Sequence, residues 1–285
     1  MNALMRALAQ AIEPMQSQFL RYAMGLLVLL PVVLWRGVQH YRPRSIGGQF
    51  WRGGFHTAGL ALWFLALPRI PLADTTAIGF TTPLFIMIGA RILFGEAMHW
   101  ERWLAVTLGF AGVLIVVGPQ LGLGLGRGAG GGVQWWHLVM LASAPLFAAS
   151  FLITKALTRH ESAGVILLWQ SITVTLFSLP LALPVWGPVS ALQWLGFLVC
   201  GLLGSAGHYC LNRGLAAADI SATQSAKFLE LIWSAFFGFV IFGDVPTETT
   251  LIGGTVIAAA TLWVARREGQ RRSDAPASGN TPRPG

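Results

Sequence analysis

Lys227 and Glu230 stand three residues apart in "QSAKFLELIW" (224–233), inside the apolar run Ile220–Phe242. In water such a pair is a surface ion pair. At the centre of a membrane helix each ionised group costs roughly 2.5–3.5 kcal/mol. At spacing i, i+3 the two share a helix face, so they offset part of that cost internally or by facing a water-filled cavity. Two readings follow. The pair locks its helix to a neighbour, or it forms a substrate or proton site. In the second reading Glu230 carries an exchangeable proton or meets a cationic solute, and Lys227 binds a carboxylate or tunes the proton affinity of Glu230.

Other polar residues belong to the same hypothesis if they converge on Glu230. Gln224 lies just ahead of Lys227 and extends the polar face; His208, Tyr209 and Asn212 sit in "GSAGHYCLNRG" (204–214); His56 and Trp63 occupy an earlier apolar stretch. A buried histidine serves as readily as a hydrogen-bonded packing residue as it does in a site.

The elements that must position these residues are membrane helices. The 285-residue chain is 54% hydrophobic and 11% charged, with a mean hydropathy of +0.63, against about 25% charged in soluble proteins. Nine spans are expected: Gln18–Trp35, Phe50–Leu67, Leu72–Phe94, Trp103–Val117, Trp135–Ala156, Gly164–Trp186, Leu192–Leu211, Ile220–Phe242 and Leu251–Val264. Short turns between most of them leave no room for a soluble catalytic domain.

The net charge of +8 does not indicate nucleic acid. Arg36, Arg42, Arg44 and Arg52 crowd one loop, Lys155 and Arg159 another, and Arg266, Arg267, Arg271 and Arg272 follow the last span. With a cytoplasmic C-terminus and alternating spans, all three clusters fall on the cytoplasmic side. Cys200 and Cys210 read as packing residues, without a disulfide or a metal site. The tail after Arg267 reads as disordered, and no cleavable signal peptide is evident.

Shifting the sequence by 148 positions lays "TTAIGFTTPLFIMIGARILFGE" (75–96) on "TQSAKFLELIWSAFFGFVIFGD" (223–244) without a gap, and "GGFHTAGLALWFLAL" (53–67) on "GLLGSAGHYCLNRGL" (201–215). The chain therefore divides into a first repeat, 1–121, a Gly-rich linker, 122–133, a second repeat, 134–267, and a cytoplasmic tail, 268–285. The linker lacks the Gly-Lys-Ser/Thr of a phosphate loop. Five spans in the second half, an odd number, require the halves to lie in opposite orientation. In the first half the opening helix is incomplete: residues 1–14 match 150–163, and the equivalent of Trp135–Ala149 is missing. Either the start codon is assigned too far downstream, the preferred reading, or the chain is a truncated member of its kind. Lys227 and Glu230 fall opposite Gly79 and Thr82, so the repeat architecture does not require the pair. Thr82 joins the candidate residues as the counterpart of Glu230.

Five-plus-five inverted helices, Phe-Gly-Glu/Asp at 94–96 and 242–244, and small residues early in the next span (Gly109, Gly112; Gly253, Gly254) resemble the EamA-type members of the drug/metabolite transporter superfamily. The likeness runs from Met1 to about Arg267; it departs from the family at the incomplete first helix. The resemblance implies an all-α, ten-helix carrier of the bacterial inner membrane that moves a small organic solute by alternating access. It also implies that Trp169 and Gln170 lie on an outer helix, as packing residues.

No ATP-binding motif is present, so transport is expected to run on an ion gradient or on exchange, as an exporter or exchanger with Glu230 as the proton carrier. No metal or organic cofactor is implied, and no His-Glu-x-x-His, Gly-x-Ser-x-Gly or paired intramembrane aspartate points to an enzyme. The rival is a non-transporting scaffold or receptor, in which Lys227 and Glu230 would be paired and dry. The expected partners are a small organic solute and the lipid bilayer; the sequence leaves the oligomeric state open.

Overall fold

The computed structural model describes residues 1–79, 81–94, 100–117, 135–217 and 228–273. Among them eleven α-helices follow one another with no β-strand: α1 Asn2–Ala11, α2 Pro14–Arg36, α3 Ile46–Ala66, α4 Leu72–Gly79, α5 Thr82–Phe94, α6 Trp100–Val117, α7 Trp135–Leu157, α8 Ala163–Ala182, α9 Ala191–Ala217, α10 Phe228–Phe242 and α11 Glu248–Ser273. Five stretches, α2, Asp74–Leu93, α7, Ala163–Val185 and α9, are long and apolar enough to cross a bilayer.

The polarity of this bundle is inverted relative to a soluble domain. Ser17, Gln18, Thr173 and Ser178 are fully buried, whereas Trp35 is 83% exposed and Leu192 77% exposed. An apolar outer surface with polar groups inside is stable in lipid, where helices satisfy their own backbone and interior side chains must find partners. Exposed Trp35, Trp51, Trp100, Trp103 and Trp135 sit at or near helix ends, as interfacial anchors do.

Helix α2 packs between α8 and α9, α3 lies on α7 and α8, and α6 lies on α11. Gly201, Gly204 and Gly207 stand at spacing three on α9, and the first two mediate close packing. A Cβ on Gly201 would stand 2.7 Å from the Gly25 backbone nitrogen, and one on Gly204 would stand 2.9 Å from the Arg21 guanidinium. Gly207 faces open space.

The span expected over Leu72–Phe94 is divided between α4 and α5. Pro83 has no N–H, and its ring excludes the carbonyl four residues earlier, at Gly79. The chain turns instead at Thr81, whose amide and hydroxyl both reach the Ile78 carbonyl, at 2.9 and 2.7 Å. Pro145 and Pro180 lie inside α7 and α8. Pro184 falls beyond α8 in the 3-10 turn Leu183–Val185. Cys200 is buried in the core and Cys210 is exposed, both as free thiols.

One end of the bundle is held by two carboxylates gathered at the start of α4. Asp244 pairs with Arg6 of α1 and accepts the Leu72 amide at 3.2 Å; Arg6 also lies over the Phe242 ring. Asp74 accepts from His137 of α7 at 3.0 Å and from the Thr250 hydroxyl of α11 at 2.6 Å. Asp244 thus joins α1 to α4, whereas Glu96 lies outside the described residues.

Candidate membrane solute site

Between α1, α2, α3, α4, α5, α7 and α9 lies a cavity of about 220 Å³. Its walls are mixed. Trp63, Phe64, Phe147 and Phe151 give aromatic surface; Arg21, His56 and His208 give polar surface; Thr75, Thr76, Gly79 and Thr82 form the α4–α5 side. The last four residues straddle the helix break at Thr81, so the turn forced by Pro83 forms part of the wall.

His56 is the best-connected group there. Its Nε2 lies 2.8 Å from the Tyr22 hydroxyl and 2.9 Å from the Gln170 amide nitrogen, and its Nδ1 lies 3.3 Å from Ser150 Oγ. Arg52 fixes the sense of this network. A guanidinium only donates, so Gln170 turns its Oε1 to Arg52 at 2.6 Å and its NH2 to His56. Nε2 of His56 is therefore the acceptor, and Nδ1 carries the proton toward Ser150. Arg52 is completed by the Thr154 hydroxyl and the Ile166 carbonyl.

These contacts correct two expectations. Arg52 does not belong to the basic loop: it lies in the second turn of α3, 3% exposed. Gln170 is not an outer packing residue, because α8 lies against both α2 and α3 and presents it to the centre. Tyr22 and Gln170 are repeat counterparts at the shift of 148, and both end on one imidazole.

Arg21 lacks such completion. It is 6% exposed and lies 4.5 Å over the Tyr22 ring; its Nη2 meets the Met1 thioether at 3.6 Å, and its Nε has no partner among the described residues. Among the described residues no carboxylate pairs with it; Asp244 and Asp74 are engaged at the bundle end. The wall hydroxyls are oriented differently. Thr75, Thr76 and Ser143 donate to the Pro71, Leu72 and Met140 carbonyls at 3.1, 3.0 and 2.6 Å, leaving their oxygens as acceptors.

Residues 1–118 and 134–266 match the EamA-like transporter family. The chain belongs to that family. It is a multi-pass membrane transporter of a small metabolite and not an enzyme. The chain is 31% identical over 260 residues to a riboflavin transporter of Rhizobium johnstonii, covering 91% of this chain and 83% of the relative. It is 26% identical over 267 residues to an S-adenosylmethionine uptake transporter of Rickettsia prowazekii, covering 94% and 88%. It is 24% identical over 275 residues to a pseudopaline exporter of Pseudomonas aeruginosa, covering 93% and 91%. A solved structure 20% identical in sequence superposes with a TM-score of 0.67 over 93% of each chain, which shows the fold.

Of the residues expected to form the transporter's site, His56, Trp63, Thr82 and His208 share the cavity. Tyr209 does not; it is 39% exposed on the outer face of α9, one residue and so about 100° around the helix from His208. Asn212 is buried away from the cavity wall, with neither amide atom hydrogen-bonded among the described residues. Lys227 and Gln224 lie outside the described residues; Glu230 lies in the first turn of α10, with its side chain likewise outside the description. Arg21, Tyr22, Thr75, Thr76 and Ser150 had not been singled out.

Proposed function

We propose that this chain is a secondary carrier of the bacterial inner membrane, with a cytoplasmic C-terminus, that moves an organic metabolite through the cavity by alternating access. Its two repeats lie in opposite orientation, and it acts as an exporter or exchanger. The solute is of the broad kind for which the relatives are named, riboflavin, S-adenosylmethionine and pseudopaline.

The observation that carries the reading is the register of the α4–α5 wall. Thr75, Thr76, Gly79 and Thr82 face the cavity, and the shift of 148 carries them onto Thr223, Gln224, Lys227 and Glu230. Two inverted halves closing on one central space place equivalent faces toward it from opposite sides. Lys227 and Glu230 then face the solute, with Glu230 as the exchangeable proton carrier.

The test is metabolite profiling of cells and medium for the wild type and Glu230→Gln at matched expression. The reading expects a small set of solutes to redistribute with the wild type and the redistribution to vanish in Glu230→Gln. A redistribution that survives intact makes the pair structural. No redistribution in either favours a non-transporting scaffold and overturns the carrier.

A further inference from the structure

We propose that Arg21 is the residue that selects the solute's charge: the cavity takes a small anionic organic molecule, a carboxylate foremost, and docks its anionic group on this guanidinium. This rests on reading the cavity as the solute site.

Three features converge on it. First, Arg21 is 6% exposed and in the cavity wall, yet among the described residues its polar contacts are to a thioether and an aromatic face. Buried guanidinium groups are ordinarily paired with a carboxylate or saturated with hydrogen bonds, because removing the charge from water costs several kcal/mol. Arg52, also buried, has each of its three nitrogens hydrogen-bonded, to Thr154, Ile166 and Gln170. Arg21 retains an unpartnered Nε.

Second, the fold makes room for this side chain. Gly204 of α9 lies directly against Nη2, and the repeat counterpart of Gly204 is His56. One half thus carries an imidazole where the other carries no side chain, and the guanidinium occupies that gap.

Third, among the described residues the charges around the cavity do not balance. Asp244 and Asp74 are committed at the bundle end. Arg52 adds a second positive charge behind His56. The resulting field favours an anion, and a planar fork suits a carboxylate held by two parallel N–H bonds. The aromatic rings Trp63, Phe147 and Phe151 on the other walls would take a flat apolar body attached to that group.

The experiment is thermal unfolding of the purified full chain in detergent with indole-3-acetate, its isosteric neutral amide indole-3-acetamide, and benzoate. The expected result is a rise of roughly 5 °C or more at saturating acid, little or none with the amide, loss of the rise in Arg21→Gln, and partial retention in Arg21→Lys. Should Arg21→Gln fail to fold, Gly204→Ala reads the same contact by crowding the guanidinium, and a several-fold weaker response to acid is expected. Equal responses to acid and amide, an undiminished response to acid in Arg21→Gln, or no response to either acid overturns the assignment. A neutral solute found by metabolite profiling, whose flux survives Arg21→Gln, would end the anion assignment and leave the carrier standing. A response to acid without redistribution of any solute in cells would do the reverse.

Discussion

The cavity and the bundle end at the start of α4 both contain buried charged residues, but they treat them in opposite ways. At the end, Asp74 and Asp244 each have partners from two or more helices. In the cavity, Arg21 lies buried with no anion among the described residues. Opposite charges matched at one place and a guanidinium without an anion at the other separate charges that hold helices together from a charge held ready for a solute. Fold stability should depend on the first group, and transport on the second.

The largest effect is expected from Asp74→Ala. It leaves His137 and Thr250 without an acceptor and should destabilise the chain by about 3 kcal/mol, a fall of roughly 6–12 °C in melting temperature. Unfolding in detergent followed by tryptophan fluorescence measures it, and a change below 2 °C would erase the distinction between the two regions. Arg21→Gln should do the converse. Its melting temperature stays level or rises, because a buried uncompensated charge is removed, while flux of the solute falls about tenfold or more, the worth of one charge-assisted hydrogen bond.

Smaller changes sharpen the boundary of the site. Gly204→Ala adds one methyl against the Arg21 guanidinium; the side chain shifts by tenths of an ångström, and flux should fall a few-fold with little change in melting temperature. Tyr209→Phe should change neither flux nor melting temperature, since Tyr209 lies on the outer face of α9. A loss of flux in Tyr209→Phe would mean that the solute path runs on the far side of that helix.

What could be read from the sequence follows from which signals are local. The helices were legible because nine apolar runs with short connections permit little else, and the observed bounds Trp135–Leu157 and Ala191–Ala217 depart from the expected spans by a few residues at most at all but one end, the C-terminal end of α9. The break in Leu72–Phe94 carried a local signal, Pro83, which removes a donor and crowds the preceding turn. The site was less legible, because a polar residue near the end of a span can snorkel, face lipid or turn inward, and only packing decides. Arg52 falls just inside the expected span Phe50–Leu67 and was counted with the loop; α3 begins at Ile46, which brings it into the interior. Arg21 carried a usable signal, an arginine within an apolar span, and the repeat held another. Tyr22 and Gln170 are polar at matching positions of the two halves, and both contact His56. Tyr209 was drawn in by adjacency to His208, whereas on a helix adjacent residues face different ways.

The measurement that bears most directly on the account is solute flux and melting temperature on the same reconstituted preparations of wild type, Arg21→Gln and Asp74→Asn. The account predicts crossed outcomes: Arg21→Gln keeps its melting temperature and loses flux, while Asp74→Asn loses several degrees and, below its own melting temperature, retains flux per folded molecule. Parallel losses in both variants, or an Arg21→Gln protein that transports as the wild type does, would contradict it.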